Sequence, residues 1–127
     1  MRVYYEDTDA AGVVYYANYL KFMERARTEW LAAAGFPLAA FEREHGVVFV
    51  VHRCEIDFRR PARLNDDLTV TVEALELGAS RLVARQDVRR GDEVLTTARV
   101  TLACIDAARW RPVRIPAALA ATLEAPA

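Results

Sequence analysis

Histidine, cysteine, glycine and proline are all scarce in this chain of 127 residues, at two, two, five and five. The two histidines, His45 and His52, stand apart, and Cys54 and Cys104 form no CxxC pair, so no zinc-type ligand set can be assembled by spacing and no metal site is expected. Both cysteines sit in strand-like apolar contexts and read as reduced core thiols. Charge of one sign is also missing: 17 basic against 18 acidic side chains give a net charge of -1, without the basic field that nonspecific nucleic-acid binding needs. The opening MRVYYEDTDA lacks the apolar stretch of a secretory signal, and no apolar run approaches the length of a bilayer span. A cytoplasmic protein without a membrane span or a nucleic-acid partner is therefore expected. Repeats, low-complexity tracts and Gly/Ser linkers are absent too, which points to one domain over residues 1–127.

What is present is a hydrophobic content of 54%, enough for one core, and a clear change of period along the chain. RVYYE reads as a short strand. After AAG, Asn18 is placed to cap a helix, and Tyr19, Phe22 with Met23, Ala26, Trp30 and Ala33 recur at helical spacing until Gly35-Phe36-Pro37 stops them. A weaker helical turn spans Leu38 to Glu44. From Val47 the period falls to two: VVFVV continuing through Cys54, Ile56 and Phe58, then Leu68 to Ala74, then RLVARQDVRR and EVLTTARVTLACID on either side of Gly91-Asp92. Strands joined by short turns pair mainly as an antiparallel meander, and the long helix must cover its apolar face. The expected fold is α+β, a curved antiparallel sheet of about five strands around a central helix, with edges that invite dimerisation.

The chemistry concentrates in YEDTDAAGVVYYANY, residues 5–19. Asp9 precedes three small residues, and Gly12 permits positive φ or close approach of a ligand. If the chain enters the helix near Tyr16 to Asn18, backbone N–H groups there face outward at the positive end of the helix dipole and can hold an oxyanion. A carboxylate beside such donors suits acyl transfer or hydrolysis without a serine nucleophile or a metal. A plain turn, with Asp9 bonded to its own backbone, fits the same spacing. Glu6 and Asp7 read as structural. Tyr4, Tyr5, Tyr15 and Tyr16 read as pocket walls or as ordinary packing.

VYYEDTDAAGVVYYANYLKFMERARTEWL resembles the opening signature of the hotdog-fold acyl-CoA thioesterases, in particular the YbgC-type enzymes associated with the Tol-Pal cluster and the 4-hydroxybenzoyl-CoA thioesterases. The likeness continues through PARLNDDLTV and GASRLV, over nearly the whole chain. It implies a hotdog fold in a homodimer or homotetramer. It also implies hydrolysis of a short- to medium-chain or aromatic acyl-CoA, with Asp9 as nucleophile or general base and the Tyr16 N–H polarising the thioester carbonyl. No cofactor is implied, coenzyme A being part of the substrate, although an acyl carrier protein could present the thioester instead. A non-catalytic acyl-CoA or acyl-carrier-protein partner in cell-envelope or lipid metabolism is the alternative. By the same resemblance Tyr5, Gly12, Tyr15 and Asn18 border the substrate, Asp66 and Asp67 belong to a turn that approaches the partner's site, and Ser80 lies near the ligand channel. Hotdog dehydratases use a histidine with an acidic partner on the helix, and neither His45 nor His52 lies in that segment. YbgC-type members commonly carry histidine where this chain has Tyr16, so the backbone donor is kept while a neutral-pH proton carrier is not. Arg59, Arg60, Arg63, Arg81, Arg85, Arg89 and Arg90 are candidates for the coenzyme A phosphates or for solvated strand faces.

Overall fold

In the computed structural model, which describes residues 1–124, the apolar stripe of the first helix lies on a five-stranded antiparallel sheet. The expected domain runs to residue 127, and residues 125–127 lie outside the described ones.

Helix α1 (Asn18–Ala33) buries Tyr19, Phe22, Met23 and Leu31. At roughly 1.5–3 kcal/mol for each large apolar side chain, these contacts fix the helix on the sheet. Two details of the stripe differ from the sequence reading. Ala33 is exposed, and Arg27, one turn from both Met23 and Leu31, is half-buried on the inner side. The helix stops as expected, with Gly35 at φ 95 and the Phe36 N–H returning to the Leu31 carbonyl at 2.9 Å. Helix α2 (Leu38–His45) ends at Gly46, also left-handed.

The strands are β1 (Val47–Phe58), β2 (Thr69–Val70), β3 (Glu73–Leu77), β4 (Arg81–Arg90) and β5 (Glu93–Asp106). Their order is β1-β5-β4-β2, with β3 also on β4. The meander holds only from β3 to β5. Strand β1 pairs with the last strand, Val47 opposite Asp106 and Phe58 opposite Thr96, and so occupies an edge.

Three further expectations are corrected. RVYYE is not a strand: Arg2 makes one isolated bridge to Asp67, and Tyr5–Asp7 is a 3-10 turn that the Asp7 carboxylate closes by accepting the Tyr4 N–H at 3.0 Å. The strand expected over Leu68 to Ala74 is split in two, because the Thr71 hydroxyl accepts the Asp87 N–H at 3.1 Å and replaces a ladder bond there. Finally, a C-terminal helix α3 (Ala117–Glu124), missed in the sequence, places buried Leu119 in the core. Its run of alanines has too little apolar patterning to signal a face.

Candidate active site

Residues Thr8 to Val14 form a small hairpin, with Thr8 bridged to Val14 and the Asp9 N–H donating to the Val13 carbonyl at 2.8 Å. Its tip is a turn in which the Gly12 N–H reaches the Asp9 carbonyl at 3.0 Å. Gly12 adopts φ 78, and a Cβ there would meet no protein atom within 4 Å, so within the chain it is the positive φ that calls for glycine. The Asp9 carboxylate accepts the Ala11 N–H through Oδ1 at 2.8 Å. Its other oxygen, Oδ2, has no hydrogen-bond donor among the described residues, and the residue is exposed. One residue thus closes the turn through Oδ1 while its Oδ2 carries no hydrogen bond among the described residues.

The hairpin and the helix start are tied together at Asp7. Its carbonyl accepts both the Tyr15 N–H, at 2.9 Å, and the Asn18 side-chain Nδ2, at 3.0 Å. Asn18 is therefore a strut and not a side-chain cap. The cap position is Ala17, which has no side chain to spare, and this is the physical reason the expected capping bond is absent. The first three helical amides, of Asn18, Tyr19 and Leu20, are bonded to the carbonyls of Tyr15, Tyr16 and Ala17 in a tight 3-10 turn. That correction moves the free donors back. The N–H groups of Tyr16 and Ala17 have no acceptor among the described residues, whereas that of Asn18 is used. Below them Ala62 locks the assembly, its carbonyl accepting the Val14 N–H at 2.8 Å and its N–H donating to the buried Tyr19 hydroxyl at 3.0 Å.

Aromatic side chains wall the region. The Tyr15 and Tyr16 ring centroids are 4.8 Å apart, and Phe58 at the end of β1 stands edge-on to Tyr16 at 6.3 Å and to Tyr19 at 5.5 Å. Tyr5, Tyr15, Tyr16 and Phe58 are all substantially exposed, Tyr5 at 82%. The neighbouring Tyr16 phenol pushes the Tyr15 hydroxyl above its ordinary range. Cysteine chemistry is disfavoured: burial pushes the Cys104 thiol up to about 11 and raises Cys54 as well.

The remaining candidates lie elsewhere on the chain. Asp67 is exposed and ion-paired with the N-terminal amine at 3.6 Å. Ser80 sits in the β3–β4 turn, where its carbonyl accepts the Cys104 N–H at 2.7 Å. Neither is hydrogen-bonded to the Asp9 hairpin. Four of the seven phosphate candidates are occupied: Arg85 and Arg89 hold Asp87, Arg90 holds Asp66 and Glu93, and Arg60 holds Glu93. Arg59, Arg63 and Arg81 make no ion pair among the described residues, and Arg63 bridges Val13 within the Asp9 hairpin. Arg27 and Gln86 escaped the sequence reading. The signal for Arg27 was its position in line with the apolar stripe.

The chain matches the family model described as thioesterase-like superfamily over residues 3–123. It is 42% identical over 116 residues to the acyl-CoA thioesterase YbgC of Haemophilus influenzae, covering 91% of this chain and 85% of that one. It is 32% identical over 123 residues to the 1,4-dihydroxy-2-naphthoyl-CoA hydrolase of Thermosynechococcus vestitus, covering 96% and 84%. Among solved structures, a probable thioesterase from Bartonella henselae superposes with a TM-score of 0.86 at 38% identity, covering 91% of this chain and 95% of that one. With the helix laid on an antiparallel sheet and the Asp9 hairpin tied to the helix start, these matches make the chain a hotdog-fold member of the thioesterase-like superfamily.

Proposed function

We propose that the protein is an acyl-CoA thioesterase, hydrolysing a short- to medium-chain or aromatic acyl-CoA to the free acid and coenzyme A. One observation carries the mechanism: a carboxylate with a free oxygen, Asp9 Oδ2, sits on the hairpin that is bonded to the helix start carrying the free Tyr16 and Ala17 amides. The thioester carbonyl oxygen is placed on the Tyr16 N–H, where negative charge developing in the tetrahedral intermediate meets a fixed donor at the positive end of α1. Asp9 Oδ2 either attacks the carbonyl carbon, giving a mixed anhydride that water then hydrolyses, or takes a proton from the water that attacks. In both routes the C–S bond breaks and coenzyme A leaves as thiolate. The hydrolases named above act on acyl-CoA thioesters, which supports the substrate class.

A homodimer or homotetramer is part of the proposal. Strand β1, 12 residues long, lies at the edge of the sheet with Val51 and Phe58 half-exposed, an arrangement suited to pairing with a second copy. The flanking Tyr5, Tyr15 and Gly12 border the acyl thioester, and Arg59 and Arg63 are the unpaired cations nearest in sequence to that hairpin's contacts. By the resemblance, the turn carrying Asp67 would approach the partner's site across such a pairing, and Ser80 would lie near the ligand channel. Cytoplasmic placement agrees with the two free cysteines, and no helix of the described residues is long and apolar enough to cross a membrane. Thiol release measured over acetyl-, butanoyl-, octanoyl- and benzoyl-CoA, with acyl carrier protein thioesters as a second arm, tests the activity. Turnover of at least one coenzyme A thioester is expected. Hydrolysis of carrier-protein thioesters alone would move the substrate to that carrier, and no thiol release from either overturns the proposal.

A further inference from the structure

Helix α1 makes its main contacts with β2, β4 and α2. A cavity of about 320 Å³ opens between it and the edge strand β1, where Glu24, Arg27 and Thr28 of α1 face Phe49, Val50 and Val51 of β1. At the other end of β1, Phe58 meets Tyr16 and Tyr19 beside the free Tyr16 amide. Leu20, Glu24 and Thr28 follow at four-residue intervals on one side of α1, and exposed Tyr16 lies just before the helix, on the same line as exposed Leu20. An acyl chain whose carbonyl sits on the Tyr16 N–H can extend along this line to the cavity.

The cavity wall holds a cation that is fixed but unpaired. Arg27 Nη1 donates to Gln86 Oε1 at 2.8 Å, while Gln86 Nε2 donates to the Met23 carbonyl at 3.0 Å. Gln86 is fully buried, and these two bonds satisfy it within the core, so it acts as a rigid strut under the guanidinium. No carboxylate lies within ion-pair distance of Arg27 among the described residues. The guanidinium has five N–H donors and spends one on a side chain. Burial works against its charge, Glu24 partly restoring it. An anion bonded to Arg27 would offset that cost, against the repulsion of Glu24 on the same wall.

We propose that Arg27, held by Gln86, reads the far end of the acyl group, and that the enzyme favours acyl-CoAs bearing a terminal carboxylate over methyl-ended ones of the same length. The inference rests on the thioesterase function proposed above. From Tyr16 to Arg27 the helix rises roughly 16 Å, and the arginine side chain leans back toward the helix N-terminus, which matches a substrate of medium length.

The test compares kcat/KM for succinyl-, adipyl- and suberyl-CoA with butanoyl-, hexanoyl- and octanoyl-CoA, in wild type, Arg27→Met and Arg27→Lys. Wild type is expected to prefer the longer carboxyl-ended thioesters by about tenfold or more, the scale of one charge-assisted hydrogen bond in a confined site. Arg27→Met abolishes that preference while methyl-ended turnover persists, and Arg27→Lys retains part of it. The wild-type preference is readable even if a variant fails to fold. Equal turnover of both series by wild type, or a preference unchanged in Arg27→Met, overturns the role of Arg27 and leaves the thioesterase function standing. Absence of thiol release from every thioester overturns both.

Discussion

At the scale of single residues, the proposed site rests on Asp9 and Gly12 acting through one turn. Gly12 lies at φ 78 in open space, so Gly12→Ala meets no clash and isolates the cost of a left-handed backbone. That cost is about 1 kcal/mol. We expect a stability loss of this size in chemical denaturation. A larger fall in kcat is expected alongside it, because relaxing the turn redirects the carboxylate that Ala11 holds. Unchanged kcat with the expected stability loss would detach the turn from the chemistry. Asp9 could be singled out in the sequence as a candidate because a carboxylate, three small residues and a helix start followed one another. The sequence could not show that Oδ1 is spent on the turn while Oδ2 is free, since the division depends on a side-chain rotamer. Nor could it place the free amides, because the 3-10 bonds that consume the Asn18 donor arise from the geometry of residues 15–17.

At the scale of elements, the helix and the long strands were readable from period alone, and two of the errors fell where side chains replaced backbone bonds. The 3-10 turn at residues 5–7 exists because the Asp7 carboxylate closes it, and the break between β2 and β3 exists because Thr71 bonds Asp87. Asp87 also anchors β4 on the outer side of the sheet. It is nearly fully buried, accepts the Thr97 hydroxyl at 2.7 Å and contacts Arg85 and Arg89. Burial alone would raise its pKa, but the hydrogen bonds from Arg89 and Thr97 and the charge of Arg85 hold it below the ordinary carboxylate range. Asp66, bonded by the Arg63 N–H and Arg90 against the same burial cost, is depressed likewise. A depressed folded-state pKa means stability that is fully present above the unfolded value near 4 and is lost as pH falls through the folded value. The protein should therefore be destabilised progressively below about pH 4, with the acid-side slope shallower in Asp87→Asn. At neutral pH Asp87→Ala should cost about 1–2 kcal/mol, since the half-buried Thr97 hydroxyl loses its acceptor while the half-exposed Arg85 and Arg89 regain water. A thermal melt series against pH checks both, and an Asp87→Asn slope equal to wild type would contradict the assignment.

At the scale of the whole molecule, the fold joins a polar hairpin to the open end of a helix and leaves a long edge strand beside them. The overall α+β arrangement was legible because one amphipathic helix and several period-two segments admit few packings. The place of β1 was not, since nothing local tells a strand that its partner is the last strand and not the next. That place matters, because an unpaired 12-residue edge with half-exposed Val51 is the surface on which the proposed dimer forms. Sedimentation equilibrium should give at least twice the 14.3 kDa chain mass, and Val51→Lys should shift it toward monomer. A fully active 14.3 kDa species would contradict the edge-pairing proposal. The account as a whole stands or falls on Asp9. Thiol release by wild type and by Asp9→Asn, on the best acyl-CoA and with equal melting temperatures, should differ by roughly 10²-fold or more in kcat, because the amide keeps the turn bond but supplies neither nucleophile nor base. Equal kcat in the two proteins would contradict it.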